Sequence, residues 1–380
     1  GIRRARMAFA IKQVCVLLLL AGTAHSFLAP SHLSTLCHSR CVENAGRRGV
    51  SWRRDGMGGL PGLSHGLKMG FMEDLRAKNA ERLAIREQND LIGKKYGLKK
   101  VQSFPTRILS TDWKVEKLSK MLDENGVLGL EGALSQETAS RLLDYISRES
   151  ETNKRQVEGG EVDFDDRFGG VNCRGDGMFG KRQDQFLPLS DDIVREACAE
   201  AMGNMLPLLE ATMTPKAALH EVSSLVADPG APRQCIHADT IVLPCPQYPD
   251  ASMKPLYTFF IALQDVEDGM GHTTFLPRTH TPDAHLLWNL GQKQKESLIS
   301  SLPAVESGLK TGDVVIFDSR CLHAGGANTS NKRRVLFYFT LSEQKQWPLP
   351  DGLHGSNSIR RKDFEKWHLA DLVREAGVAR

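Results

Sequence analysis

Residues 312–342 read GDVVIFDSRCLHAGGANTSNKRRVLFYFTLS, two apolar runs joined by a polar, glycine-containing connection. A Gly-Asp turn signal precedes Val314–Phe317, and Arg333-Arg334 opens Val335–Leu341. Short runs rich in β-branched and aromatic residues, bounded by turn residues, predict strands. Side chains on a strand alternate in direction. Arg334, Leu336, Tyr338 and Thr340 therefore share one face, and Arg333 points to the other. His323 stands between the two runs. Upstream, His237-Ala238-Asp239 sets an imidazole and a carboxylate two residues apart, which an extended chain aims at one point. Two histidines, one carboxylate and a downstream guanidinium are the parts that hold a non-haem Fe(II) on one face and anchor an acidic co-substrate beside it. Alone, the His-x-Asp triplet is a weak signal, because a surface or turn pair reads the same way.

Further strands are predicted over Ala218–Val226, Gln234–Ile236, Tyr257–Leu263 and His272–Leu276, separated by turn signals at Asp228-Pro229-Gly230 and Asp268-Gly269. Helical spacing precedes them. One helix covers Asp112–Asp123 and stops at Asn125-Gly126, followed by a short strand at Val127–Leu130. A second, capped by Ser135, runs to Arg148 with Leu142, Leu143 and Ile146 as its buried face. A third, Asp191–Leu209, is interrupted by Gly203 and Pro207. Glu151–Gln185 is rich in glycine and charge and reads as a long loop able to cover a site. Beyond Pro350 a charged helix carries Phe364, Trp367, Leu369 and Leu372 for docking. Helices followed by many short strands predict an α+β protein, with a β-barrel or jelly roll and helices packed outside it.

The 380 residues are 41% hydrophobic and 25% charged, ordinary for one large globular domain with extensions. Residues 1–70 hold ten Lys/Arg against two acids, so the remaining chain carries +3 − 8 = −5. A mildly acidic body gives no argument for nucleic-acid binding. Residues 1–26 read as a signal peptide with Met7 as its start. An apolar run over Val14–Ala21 follows Lys12, and Ala24-His25-Ser26 offers a cleavage site. The run is too short for a membrane anchor, so no stable span is expected in the mature chain. Residues 27–70, opening Phe27-Leu28-Ala29-Pro30, are basic and acid-poor, and resemble the transit segment of algae whose plastids are reached through the secretory route. Plastid import is the expectation, with secretion as the alternative. The eight cysteines (15, 37, 41, 173, 198, 235, 245, 321) form no disulfide framework. Residues 71–111 are expected as an N-terminal helical extension, 112–348 as the catalytic domain and 349–380 as a helical tail.

Gly312 to Asp318, then Leu322-His323, Asn328, Ser330 and Arg334, resemble the closing half of phytanoyl-CoA dioxygenase-like proteins. Gly271–His280 is similar to their Gly-(five residues)-Pro-Gly-Ser-His segment, Ile261–Asp265 to the strand before it, and Asn125-Gly126-Val127 to their entry strand. The motifs arrive in family order between about Leu118 and Ser342. The resemblance implies a double-stranded β-helix (jelly roll, cupin-like). It also implies Fe(II), 2-oxoglutarate and O2, with ascorbate as activator. His237, Asp239 and His323 would be the metal ligands. Arg334, eleven residues after the distal histidine, would anchor 2-oxoglutarate, with Arg333 as the alternative. Tyr257 and Thr258 would line the co-substrate pocket. The implied reaction hydroxylates a C–H bond of a small organic or lipid-like substrate while 2-oxoglutarate is decarboxylated to succinate.

One departure is Pro277-Arg278-Thr279-His280, which lacks the motif's glycine. Arg278 could meet an anionic substrate, although an exposed arginine is the commoner outcome. His220, His272 and His280 read as structural, and Cys321 as a poor ligand for this kind of site. Asp239 is present, which argues against a halogenase. A cupin-like isomerase or metal-binding protein, and an inactive interaction module, remain the competing classes. The first has no use for Arg334, and the second no need to keep three ligands.

Overall fold

A computed structural model describes residues 102–103, 114–169, 179–245, 249–250, 252–343 and 367–375. The predicted signal peptide, transit-like segment and most of the 71–111 extension lie outside the described residues, as does Phe364. In chain order the elements are β1 (Gln102–Ser103), α1 (Val115–Asn125), β2 (Val127–Leu130), α2 (Gln136–Gly159), α3 (Phe164–Arg167), β3 (Phe168–Gly169), β4 (Arg182–Phe186), α4 (Asp192–Asn204), α5 (Leu206–Thr212), β5 (Ala218–Ala227), β6 (Leu256–Ala262), β7 (Thr273–Phe275), α6 (Pro282–Asn289), α7 (Gln292–Ser301), β8 (Val305–Ser307), β9 (Val314–Asp318), β10 (His323–Gly325), β11 (Arg334–Ser342) and α8 (Leu369–Glu375).

The strands form two sheets. The larger has the order β2-β9-β6-β11-β5-β4-β3 and is antiparallel throughout. The smaller has the order β1-β8-β7-β10, with only β1–β8 parallel. Alternation along β11 divides the core. Val335, Phe337, Phe339 and Leu341 join the helix-side cluster with Leu118 of α1, Leu142 of α2, Met202 of α4, Leu208 of α5 and Leu372 of α8. Leu336 and Tyr338 face the other way, into a cluster with Phe260, Val315, Phe317 and, from the smaller sheet, Phe275. The chain is thus a mixed helix and antiparallel-sheet protein whose sheets share an inner apolar core.

The helix starts and stops follow local chemistry. Gly126, at φ 70°, closes α1 by donating its N–H to Leu122 O, and the Ser135 side chain caps α2 by accepting from Thr138 N. Two expectations need correction in the 151–185 region. Helix α2 continues to Gly159, because Ser150, Asn153 and Val157 extend the buried face of Leu142 and Ile146 although two of them are polar. Residues 182–186 form a strand, not a loop: Arg-Gln-Asp-Gln-Phe has no apolar alternation, yet its first four residues are buried. The predicted strand at 234–236 is instead an extended connection leading to one isolated bridge, His237–His323.

Residues 282–301 fold as two short helices joined at Gly291. Leu298 and Ile299 of α7 and Ala284 of α6 pack on Leu276, Leu322, Ile236 and Ala238. Helix α8 docks through Leu369 and Leu372, while Trp367 O accepts from Leu219 N at the sheet edge. Among the described residues no helix is long and apolar enough to cross a membrane.

Candidate metal centre

The His237–His323 bridge is a two-way backbone pair: His237 N donates to His323 O at 2.9 Å and His323 N to His237 O at 2.8 Å. This register sets the two rings side by side, with centroids 4.5 Å apart. One step on, Asp239 N donates to Ser319 O at 2.8 Å, fixing the carboxylate beneath them. Asp239 Oδ1 lies 3.6 Å from His237 Nε2, and Oδ2 lies 3.6 Å from His323 Nε2. One ligand atom from each of the three residues falls within 4.8 Å of the others.

The backbone also sets the tautomers. His237 Nδ1 is 2.7 Å from Cys235 O, and His323 Nδ1 is 3.0 Å from Cys321 O. A carbonyl can only accept, so each Nδ1 carries the hydrogen and each Nε2 turns a lone pair to the centre. Two imidazoles and one carboxylate converging on a shared point are a ligand set that suits Fe(II). Phe275, Phe317 and Phe260 wall His323, with centroids 5.7, 4.8 and 6.5 Å from its ring.

Arg334 opens β11 and pairs with Ala227 of β5, and Ala227 pairs on its other side with Arg182 of β4. The two arginines therefore flank one alanine on the inner face, each 1% exposed. Arg334 Nη1 donates to Gly271 O. Its Nε has no partner among the described residues, and no carboxylate there pairs with it. Burial, and then the Arg182 charge, lower the Arg334 pKa to about 9. Arg182 Nη2 donates to Pro232 O at 3.2 Å and Gly326 O at 2.7 Å. It passes so close to Gly325 that a Cβ there would lie 2.9 Å from Arg182 Nη1. A buried guanidinium whose Nε has no partner among the described residues can pair two-pronged with a carboxylate.

Arg333, the alternative anchor, faces outward and pairs with Asp228 and Glu151. Alternation likewise separates Thr258 from Tyr257. Thr258 pairs with Thr340 and Phe317 on the inner face, whereas Tyr257 packs against the helix-side cluster. The expectation that Tyr257 lines the co-substrate pocket is therefore corrected. The connection before Arg334 is held by Asn328, whose Nδ2 donates to Ala227 O and Lys332 O and whose Oδ1 accepts from Ser330.

Other motif residues have structural roles. Gly312 turns at φ 87°, where a Cβ would lie 2.2 Å from Leu134 O. Asp313 accepts from Gly132 N and Lys310 N at that corner. Arg278 is exposed at φ 66°, occupying with an arginine the left-handed position where the family motif has glycine. His272, His280 and His285 each meet a backbone carbonyl, those of Val266, Asp123 and Arg320, and His220 is buried in β5. Burial raises the Cys321 thiol to about 12, so it stays protonated among Thr279 and Leu276.

Sequence reading missed Arg182, hidden in a stretch read as loop. It also missed an inner-face group in which Tyr338 Oη donates toward Asp184 (2.8 Å) and Glu221 (3.0 Å). Phe260 stands between this group and His323, with centroids 5.5 Å from Tyr338.

The profile of the phytanoyl-CoA dioxygenase (PhyH) family matches residues 122–336, more than half of the chain, from the last turn of α1 to the start of β11. The chain belongs to the phytanoyl-CoA dioxygenase family. It is accordingly a 2-oxoglutarate-dependent non-haem iron dioxygenase. Among curated relatives, the iron/alpha-ketoglutarate-dependent dioxygenase ausU of Aspergillus calidoustus is 24% identical over 251 residues, covering 62% of this chain and 73% of that protein. The dioxygenase ALT11 of Alternaria alternata is 27% identical over 127 residues, 32% of this chain and 37% of that one. Similar solved structures include two non-haem alpha-ketoglutarate-dependent enzymes of nogalamycin biosynthesis. The epimerase SnoN has 18% identity, TM-score 0.42 and coverage of 64% and 94%; the carbocyclase SnoK has 19%, 0.42, and 62% and 84%.

Proposed function

We propose that this phytanoyl-CoA dioxygenase family member hydroxylates a C–H bond of a small organic or lipid-like substrate, on a jelly-roll (double-stranded β-helix) scaffold. His237, Asp239 and His323 would hold Fe(II), and Arg334 would hold 2-oxoglutarate. The observation that carries this reading is the buried guanidinium of Arg334, which meets no carboxylate among the described residues, on the inner face that also carries the ring wall of His323. A protein that only bound metal would have no use for that uncompensated charge.

Fe(II) with 2-oxoglutarate supplies oxygen activation coupled to release of succinate and CO2. The chain's own residues position and shield. The Nδ1 bonds to Cys235 O and Cys321 O hold both imidazoles in the donating tautomer. Arg334 and Arg182 flank Ala227 on the inner face, and the far carboxylate of a dicarboxylate would pair with Arg334. Phe260, Phe275 and Phe317 exclude water on the His323 side. Tyr338 with Asp184 and Glu221 puts hydrogen-bonding groups on the inner face, where a substrate's polar group can be oriented. Plastid import belongs to the same proposal and is supported by the leader's sequence pattern alone.

The test is conversion of 2-oxoglutarate to succinate by the full chain with Fe(II) and ascorbate, without prime substrate. Wild type should turn over slowly. Arg334→Ala should lose turnover but retain metal, and His237→Ala should lose both. Succinate formation unaffected by Arg334→Ala would sink the assignment of the anchor.

A further inference from the structure

The bridge between His237 and His323 is an isolated pair because the ladder breaks on both sides of it. In an antiparallel pair, residues that exchange both backbone bonds recur at every second position. The pair following 237–323 would therefore be 235–325, with Gly325 N donating to Cys235 O and Cys235 N to Gly325 O. The chain does otherwise. Gln234 N donates to Gly325 O at 2.9 Å, and Gly325 N donates to the side-chain Oε1 of Gln234, also at 2.9 Å. Cys235 and Ile236 thus stand opposite Ala324 alone, the residue count of a β-bulge.

That bulge has a chemical consequence. Cys235 O, diverted from the ladder, meets His237 Nδ1 at 2.7 Å. The other side of the bridge repeats the scheme with backbone groups alone. A regular ladder would give Cys321 O to Asp239 N. Instead Asp239 N donates to Ser319 O at 2.8 Å, and Cys321 O lies 3.0 Å from His323 Nδ1. Each imidazole takes the carbonyl two residues before it, and each displaced N–H is received elsewhere. For Asp239 the receiver is a backbone oxygen; for Gly325 it is a side chain. A Cβ on residue 325 would lie 2.6 Å from Gln234 Oε1, so the glycine makes room for this contact.

We infer that Gln234 is a positioning residue for the metal centre: by receiving Gly325 N it leaves Cys235 O to His237, whose Nε2 lone pair stays turned to the centre. Gly325 is buried, and a buried backbone N–H is rarely left unpaired. Without the Gln234 acceptor it would turn to Cys235 O, the partner a regular ladder provides, and His237 Nδ1 would lose its carbonyl. Partners that hold a ligating histidine by its other nitrogen typically matter about 10–100-fold in metal affinity. The effect on affinity rests on the proposed ligand set; the effect on the tautomer does not.

NMR of the histidine ring nitrogens in the metal-free full chain, followed by titration with Mn(II), tests it. Gln234→Leu keeps the volume and removes the acceptor. Gln234→Asn keeps the amide but falls one methylene short of Gly325 N, and serves if the leucine variant fails to fold. Gln234→Glu retains an acceptor at the right reach. In wild type and Gln234→Glu, His237 should carry its hydrogen on Nδ1. In Gln234→Leu and Gln234→Asn the Nε2–H form of His237 should appear, and Mn(II) should bind about tenfold more weakly. His323, held through Cys321 O, should keep its tautomer throughout. An unchanged His237 tautomer in either folded variant would overturn the inference, as would an equal change at His323, the mark of general loosening. A wild type that binds no Mn(II) would sink the ligand assignment instead, and Gln234 would still be judged on the tautomer.

Discussion

A guanidinium buried beside a second guanidinium, with no carboxylate against it, destabilises the fold that holds it. Among the described residues Arg334 is in that position, and burial lowers its pKa to about 9, below the usual arginine value. The unfolded chain then binds the proton more tightly than the folded one. The penalty is present in full below pH 9 and is relieved as pH rises from about 9 toward the unfolded value. Even a buried ion pair is often replaced by apolar side chains of similar volume with no loss, or with a gain of about 1–4 kcal/mol, and a buried charge without a counter-ion has less to lose. Arg334→Met should therefore raise the melting temperature of the ligand-free protein at neutral pH, while losing the further rise that 2-oxoglutarate gives the metal-loaded wild type. A variant that melts lower and still responds to 2-oxoglutarate would contradict this account. At this scale the sequence was readable where period-two alternation applies: it separated Arg334 from Arg333 and paired His237 with Asp239. It failed for Tyr257, named beside Thr258 although adjacent strand residues face opposite ways. Arg182 could not be seen, because its strand carries no apolar rhythm.

Two corners of the fold make opposite predictions for glycine. Gly312→Ala places a Cβ against Leu134 O and forces alanine to φ 87°, so the β8–β9 corner should lose about 2–4 kcal/mol in denaturant unfolding. Arg278→Gly relieves an L-residue held at φ 66° and should gain about 1 kcal/mol, unless the arginine serves a ligand. If Arg278→Gly is destabilising, the side chain has a contact that outweighs the backbone cost. Elements with a clean period were legible. Helix α1 with its glycine stop, the Ser135 cap, and strands β5, β6, β9 and β11 lie within a few residues of their expected positions. The failures share a physical cause. Helix α2 buries Ser150 and Asn153, and β4 buries Arg182, Gln183, Asp184 and Gln185, so hydropathy reports surface where the chain packs core. Strands β8 and β10 are three residues each, too short for any period to register.

Across the whole molecule, the order of helices first and strands after already pointed to a sheet core with helices outside. What order alone could not give was the pairing that brings residues 237 and 323 together, since a single isolated bridge leaves no sequence pattern. That bridge has a mechanical meaning. The two histidines are separated by about 86 residues, and an ion bound to both acts as a cross-link closing that loop. In chain-entropy terms, a covalent link over such a span restricts the unfolded chain by about 4–5 kcal/mol, an upper guide for a coordinate one. Chelation should therefore lower the melting temperature and accelerate amide exchange around 235–239 and 321–325, with the helix-side core staying protected. Unchanged exchange on metal removal would show that the fold carries the centre unaided. If the link operates, the reactive centre is also a clasp. Starved of iron, the protein would loosen where the 235–239 segment lies along the edge of the smaller sheet and present that segment to proteases, so its abundance would follow the iron supply without any separate sensor.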